Sequence, residues 1–167
     1  MSEKKTYPKP PRTITDEKNR DIEIRAFTDE AYEPLVEMYL DFSPEDRAQG
    51  IPPVNEEGVR EWLDIVTDGE CFNVVAWHGD RTVGHAMLVG DGEGGYELAI
   101  FVLQDYQGAY IGTELLRTVL GLGQESGVEH VWLSVERWNK PAVRLYEKIG
   151  FETTESANFE LEMTLEI

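Results

Sequence analysis

The sequence predicts an α/β fold: a mixed, mostly antiparallel sheet of six or seven strands around a central βαβ unit, with about four helices. Three observations carry this expectation. Tyr96 to Leu103 is apolar on both faces except for Glu97, which is how a strand covered on both sides reads. After the polar stretch Gln104 to Gly112, the residues Ile111, Leu115, Leu116, Val119, Leu120 and Leu122 recur at helical spacing over Thr113, Glu114, Arg117 and Thr118. Val128 to Glu136 then reads as a strand again, and a strand–helix–strand crossover makes two parallel neighbours.

The other elements follow from periodicity and punctuation. Residues 1–20, with Pro8, Pro10 and Pro11, show no apolar period and are expected to form a flexible tail, leaving 21–167 as one domain. Ile22, Ile24 and Ala26 alternate with Glu23, Arg25 and Phe27 in a first strand. Tyr32, Leu35, Val36, Tyr39 and Leu40 mark a helix, and Pro34 falls in its first turn. A proline-bounded connection, Phe42 to Pro53, precedes a second helix capped by Asn55 and carrying Val59, Trp62, Leu63 and Val66. Cys71–Trp77 and Arg81–Val89 are strands joined at His78-Gly79-Asp80, and Asp91 to Gly95 turns into the central strand. Pro141 opens a fourth helix with Val143, Leu145, Tyr146 and Ile149 inward, closed by Gly150. Phe159, Leu161, Met163, Leu165 and Ile167 alternate with Glu160, Glu162, Thr164 and Glu166, an antiparallel strand with one wet face.

Composition excludes several classes. The 167 residues carry a net charge of −18. Residues 1–20 hold a net +3 and the remainder −21, and past residue 20 the only lysines are Lys140 and Lys148. Binding DNA or RNA needs a basic face, so nucleic acid is not an expected partner. We read the acidic, lysine-poor surface as adaptation to a high-salt cytoplasm, where it keeps a protein hydrated once salt has screened its charges. No apolar run approaches the ~20 residues that span a bilayer, so no membrane is expected. Met1 to Lys5 leads into prolines rather than an apolar signal core, and Cys71 stands alone; a cytoplasmic protein is expected. His78, His85 and His130 lack metal-ligand spacing, so structural roles and no metal are expected.

A buried strand running through a glycine loop into a helix is a device for holding phosphates, because the loop presents backbone N–H groups and the helix start a positive dipole end. Gln107-Gly108-Ala109-Tyr110-Ile111-Gly112 resembles the acetyl-CoA pyrophosphate loop of the GNAT N-acetyltransferase superfamily, Gln/Arg-x-x-Gly-x-Gly/Ala. Asn139-x-x-Ala142-x-x-Leu145-Tyr146-Glu147-x-x-Gly150-Phe151 is similar to the family's second motif, a helix and the strand after it. Resemblance covers residues 21–167, and its specific part is 96–151. One departure stands out: the middle loop glycine is Tyr110. Since tyrosine takes positive φ at a cost, ordinary helix-entry geometry is expected there, with the ring turned away from the phosphates.

The resemblance implies transfer of acetyl from acetyl-CoA to a primary amine by direct attack in a ternary complex. The acceptor could be a small amine, a protein lysine or a peptide N-terminus; self-association as a homodimer is left open. Gln107, Gly108, Ala109, Tyr110, Ile111, Gly112 and Thr113 would hold the pyrophosphate. Backbone groups of Phe101, Val102 and Leu103 would pair with the pantetheine arm where two parallel strands splay apart, an N–H near Phe101 or Val102 meeting the oxyanion. Asn139 would touch the same arm, or simply cap its helix. Glu97 is the base candidate, since partial burial raises a carboxyl toward a useful range; the alternative is an edge glutamate beside the Gly94-Gly95 turn. Tyr146 is the acid candidate, or else a core aromatic. A rival reading is a GNAT-like module that holds acyl-CoA and regulates a partner without turnover. The family also suggests that the Phe42–Pro53 connection borders the acceptor pocket, the alternative being a plain linker.

Overall fold

Ile22 and Ile24 alternate with charged neighbours and are fully buried, which commits one face of their strand to the interior. The same logic, repeated along the chain, gives an α/β fold in the computed structural model, which describes residues 5–44, 52–157 and 159–167. Its strands are β1 (Arg12–Thr15), β2 (Asp21–Ala26), β3 (Phe72–His78), β4 (Arg81–Gly90), β5 (Tyr96–Val102), β6 (His130–Glu136), β7 (Glu152–Ser156) and β8 (Glu160–Glu166). The helices are α1 (Tyr32–Leu40), α2 (Glu56–Val66), α3 (Ile111–Glu125) and α4 (Lys140–Ile149), with short 3-10 turns at Asp29–Ala31 and Gln104–Tyr106.

One sheet runs in the order β1-β2-β3-β4-β5-β6-β8-β7. All its pairs are antiparallel except β5 with β6. β3 and β4 are buried almost from end to end because helices cover both of their faces. On one side a Cβ at Gly84 would come 2.6 Å from Leu115 of α3; on the other, His85 meets Tyr39 of α1. No helix among the described residues is long and apolar enough to cross a membrane.

Among the described residues the sheet has eight strands, beyond the six or seven expected, and the additions are instructive. β7 is fully exposed and reads Glu-Thr-Thr-Glu-Ser, so no apolar alternation announces it; its hydrogen bonds to β8 hold it. β1 lies inside what the sequence suggested was a flexible tail, and that reading is corrected for residues 5–20. Arg12–Thr15 pairs with Asp21–Ile24, and Arg12 reaches Glu114 and Thr118 of α3 at 3.0 Å each. Tyr7 is buried, and its N–H donates to Gln124. Gly121 exists for this contact, since a Cβ there would fall 1.8 Å from the Pro8 carbonyl oxygen. Local periodicity cannot reveal a segment ordered by a groove on a distant helix. The connection Phe42 to Pro53 falls mostly outside the described residues, which resume at Pro52.

Candidate functional site

β5 and β6 start side by side and then part. Their register pairs are Tyr96↔Val131 and Glu97↔Trp132, and beyond Glu97 no further pair joins them. On its other edge β5 stays in register with β4 as far as Gly84↔Val102. The result is a cleft open at the carboxyl ends of two parallel strands, where open α/β sheets place ligands. Consistent with that opening, Ala99 to Val102 are only partly buried, although the sequence suggested a strand covered on both sides.

Strand alternation decides which backbone groups face the cleft. Leu103 donates its N–H to Val83 at 2.9 Å, and its carbonyl accepts from Tyr106 at 2.8 Å. Leu103 is therefore committed, and its expected pairing with a ligand arm does not hold. Phe101, two residues earlier and opposite His85, directs its backbone to β4 for the same reason. Val102 and Ile100 point the other way, into the cleft. The Val102 carbonyl confirms the direction by accepting from Gln107 Nε2 at 2.9 Å. Ile100 was missed in the sequence, because the parity becomes readable only once the β4 pairing is known.

The loop after β5 is braced from behind by the N-terminal segment. Glu17 donates its N–H to Ala109, and Arg20 spans the Asp105 carbonyl and the ring of Tyr106, 3.9 Å from its centroid. Buried Asp16 holds Arg20 in place with a 2.7 Å ion pair. The carboxyl of Asp16 is lowered: burial opposes the charge, but bonds from Arg20 and the Lys18 N–H outweigh it. Gly108 stands at φ 70°, and Tyr110 at φ 80°, ψ −4°, also left-handed. The expectation of ordinary helix-entry geometry at Tyr110 is thus corrected. The loop needs a left-handed residue to turn its next amides outward, and here a tyrosine takes that conformation in place of glycine. Its ring does turn outward, half exposed, with the hydroxyl accepting from Lys148 of α4 at 3.0 Å. No side chain caps α3, so the N–H groups of Ile111, Gly112 and Thr113 sit at a bare helix start. Beside it lies a groove of about 490 Å³ to which Lys5, Arg117 and Lys148 contribute. In a body so acidic, that is an unusual gathering of cations. The signal was the placement of both body lysines in α4.

Asn139 caps α4, accepting from the Ala142 N–H at 3.4 Å. Tyr146 follows on that helix, stacked edge-on with Phe151. Burial pushes the Tyr146 hydroxyl up to about 12, and it has no hydrogen-bond partner among the described residues. Glu97 lies on the opposite face of β5 from α3. Its side chain is accessible, yet partial desolvation raises its carboxyl above the usual range, and the nearby charges of Asp91 and Glu160 add to this.

The histidines are structural. Fully buried His85 accepts from the Tyr39 hydroxyl at 2.6 Å and pairs through Nε2 with Asn73 at 2.7 Å. Burial lowers it to about 3, so it stays neutral and anchors the ring cluster of Tyr39, Phe42, Trp62 and Phe101 on the Glu97 side of the sheet. His78 meets Tyr106, and His130 meets Glu166. Among the described residues no three His, Cys, Asp or Glu side chains gather as a metal would require.

Comparison with known proteins places this geometry. Residues 32–151 match the family model described as "Acetyltransferase (GNAT) family". An uncharacterized N-acetyltransferase of Mycobacterium bovis is 32% identical over 101 residues, 60% of this chain and 65% of that protein, so the match spans slightly less than two thirds of the relative's length. The GNAT domain of S. lividans PAT superposes with a TM-score of 0.78 at 17% identity, covering 94% of this chain and 97% of that one. PaiA N-acetyltransferase from Thermoplasma acidophilum, solved in complex with coenzyme A, gives 0.68 at 21% identity over 87% and 99%. On the family match and the parted central strands, the chain belongs to the acetyltransferase (GNAT) family.

Proposed function

We propose that the protein transfers an acetyl group from acetyl-CoA to a primary amine by direct attack in a ternary complex. The observation that carries this is the parting of β5 from β6 just beyond Glu97, at the same end of the sheet as the uncapped start of α3. The pyrophosphate would sit on the amides of Ile111, Gly112 and Thr113, below Gly108 and outside the Tyr110 ring. The pantetheine arm would lie along Val102 and Ile100 as a further strand. A structural relative of this fold was solved in complex with coenzyme A, which supports coenzyme A as the group carrier.

The acceptor amine must lose a proton before it attacks the thioester carbonyl. Glu97, directly or through a water, takes it. The Val102 or Ile100 N–H meets the oxyanion as the tetrahedral intermediate forms. Collapse then breaks the C–S bond and expels a thiolate, while the attacking nitrogen gives up its second proton, so that neutral amide and thiol are the products. A hydroxyl that burial raises above its ordinary value is a weaker acid than the leaving thiol, so full proton transfer to the thiolate runs uphill. Tyr146 therefore acts mainly by donating a hydrogen bond to the departing sulfur.

The rival reading is a module that binds acyl-CoA without turnover, and the feature that favours it is Tyr110, whose side chain could narrow the phosphate cradle. Against that, the outward ring tied to Lys148 leaves the amides after Tyr110 at a bare helix start, which supports the enzyme reading. The acidic surface keeps its reading as adaptation to a salty cytoplasm.

Glu97→Gln tests the proposal. Turnover at neutral pH should fall at least ~10-fold, and the loss should shrink at alkaline pH, where the amine deprotonates unaided. Stability gives an independent sign. A carboxyl raised on folding contributes stability at low pH that is lost as pH rises through its folded value. At neutral pH the glutamine variant should melt no lower than wild type. Equal rates across the pH range would remove Glu97 from the mechanism.

A further inference from the structure

On the face of the sheet that carries Glu97 lies a second cavity, of about 380 Å³, lined by Glu136, Trp138, Ala157, Phe159 and Glu160. Trp138 and Phe159 are among the most exposed large aromatics of the molecule, 57% and 67% accessible, yet they are not scattered. Their rings meet edge to face at 6.1 Å, forming two walls of one recess. The Arg137 N–H donates to the Phe159 carbonyl at 3.0 Å and ties the two walls together at the backbone. Trp138 Nε1 donates to Glu136 at 3.1 Å, which ties that carboxylate to one wall of the recess. Glu136 and Glu160 are direct partners on the β6–β8 ladder. Like charges opposite one another cost stability, and a cation seated between them would relieve that cost. Glu97 is the register partner of Trp132, and Glu136 lies four residues further along β6, so strand alternation sets the recess on the Glu97 face of the sheet.

Aromatic faces with flanking carboxylates recognise a cation on an apolar stem: the rings attract it by their quadrupoles and shed water from the stem, and the carboxylates balance its charge. Resting on the acetyltransferase reading above, we propose that the Trp138–Phe159 recess holds a second positive charge of the acceptor, making the substrate a short dication with one amine presented to Glu97. The open face around it carries Glu155 and Glu162 as further ladder partners, which suits the same charge.

The test compares α,ω-diamines of three to six carbons with n-butylamine, on wild type and on Trp138→Leu and Glu136→Gln. At least one diamine should exceed n-butylamine in kcat/KM by ~10-fold or more, and each variant should erase most of that preference while leaving the n-butylamine rate within about twofold. Calorimetric titration of the same diamines into protein without acetyl-CoA gives a readout free of turnover. Binding that both variants weaken, with no acetyl transfer, would uphold the recess and overturn the enzyme reading. Acetylation of n-butylamine and diamines at equal efficiency, with no variant effect on binding, would overturn the recess alone.

Discussion

Helices α3 and α4 both begin at the end of the sheet where β5 and β6 part, yet their first turns are built oppositely. α3 enters through Tyr110 at φ 80°, with no side chain on its leading amides. α4 enters through Asn139, whose side chain takes the Ala142 N–H; Pro141 has none to offer, and the Lys140 N–H donates to the Trp138 carbonyl. A helix start left bare beside a cleft has donors for a ligand, whereas one already satisfied can offer only side chains. On the proposed function the contrast divides the labour: α3 would supply backbone to acetyl-CoA, and α4 would supply Tyr146 to the chemistry. It also explains a strained residue at one start and a relaxed cap at the other.

The sharpest way to break this comparison is to put the same negative charge at both starts. Gly112→Asp should raise the acetyl-CoA dissociation constant ~100-fold, about 3 kcal/mol, by occupying the anion site with a carboxylate. The fold should survive, since a Cβ at Gly112 meets only Val102 Cγ2 at 3.8 Å and an acid suits a first turn. Pro141→Asp should change the constant by no more than about threefold. Titration calorimetry reads both, and equal losses would dissolve the distinction.

Tyr146→Phe probes the other half of the division. Its hydroxyl has no protein partner among the described residues, so removing it should leave the melting temperature nearly unchanged. Single-turnover rates should nonetheless fall ~10-fold or more while acetyl-CoA affinity holds. A collapse of stability would mean that the hydroxyl was a structural donor.

The two starts also differ in how much of them the sequence disclosed. The buried strand, the glycine loop and the α3 period are local patterns, and the order of elements followed from them. Asn139 and Pro141 announced the α4 cap because capping depends on one side chain and the next few amides. The conformation of Tyr110 was misjudged because the loop is fixed from outside, by Glu17 on Ala109 and Arg20 on Asp105. Those contacts come from the segment that looked like a tail, where prolines and charges hide the one buried ring, Tyr7. Likewise Leu103 and Phe101 seemed free for a ligand until the β4 register assigned their backbone groups. Glu97 and Tyr146, the residues proposed for the chemistry, stand out in the sequence as oddities of type and position; the Trp138–Phe159 recess does not, since its walls come from different turns.

Removing the α4 cap should cost stability and little else. Asn139→Ala loses the bond to Ala142, worth about 1 kcal/mol, which for a domain of this size lowers the melting temperature by about 3 °C. If Asn139 also touches the pantetheine arm, acetyl-CoA affinity should fall in step; a melting shift with affinity intact would leave capping as its whole role.

The smallest effect is expected at the other start. A non-glycine residue in the left-handed region pays about 1–2 kcal/mol that glycine does not. Tyr110→Gly removes that strain but gives back chain entropy in the unfolded state and loses the 3.0 Å contact with Lys148. Because that contact is solvent-exposed, it offsets only a fraction of the strain. The variant should therefore melt slightly higher, by about 2 °C, with acetyl-CoA affinity within a few-fold of wild type, because the donors are the amides that follow and not the ring. Paired thermal melts and titrations decide it. A lower melting temperature would show that the ring's tie to α4 outweighs the strained backbone, and that α3 and α4 hold their spacing through Tyr110. A gain of tenfold or more in affinity would show instead that the ring crowds the phosphates, and the outward orientation would then be a property of the empty site alone.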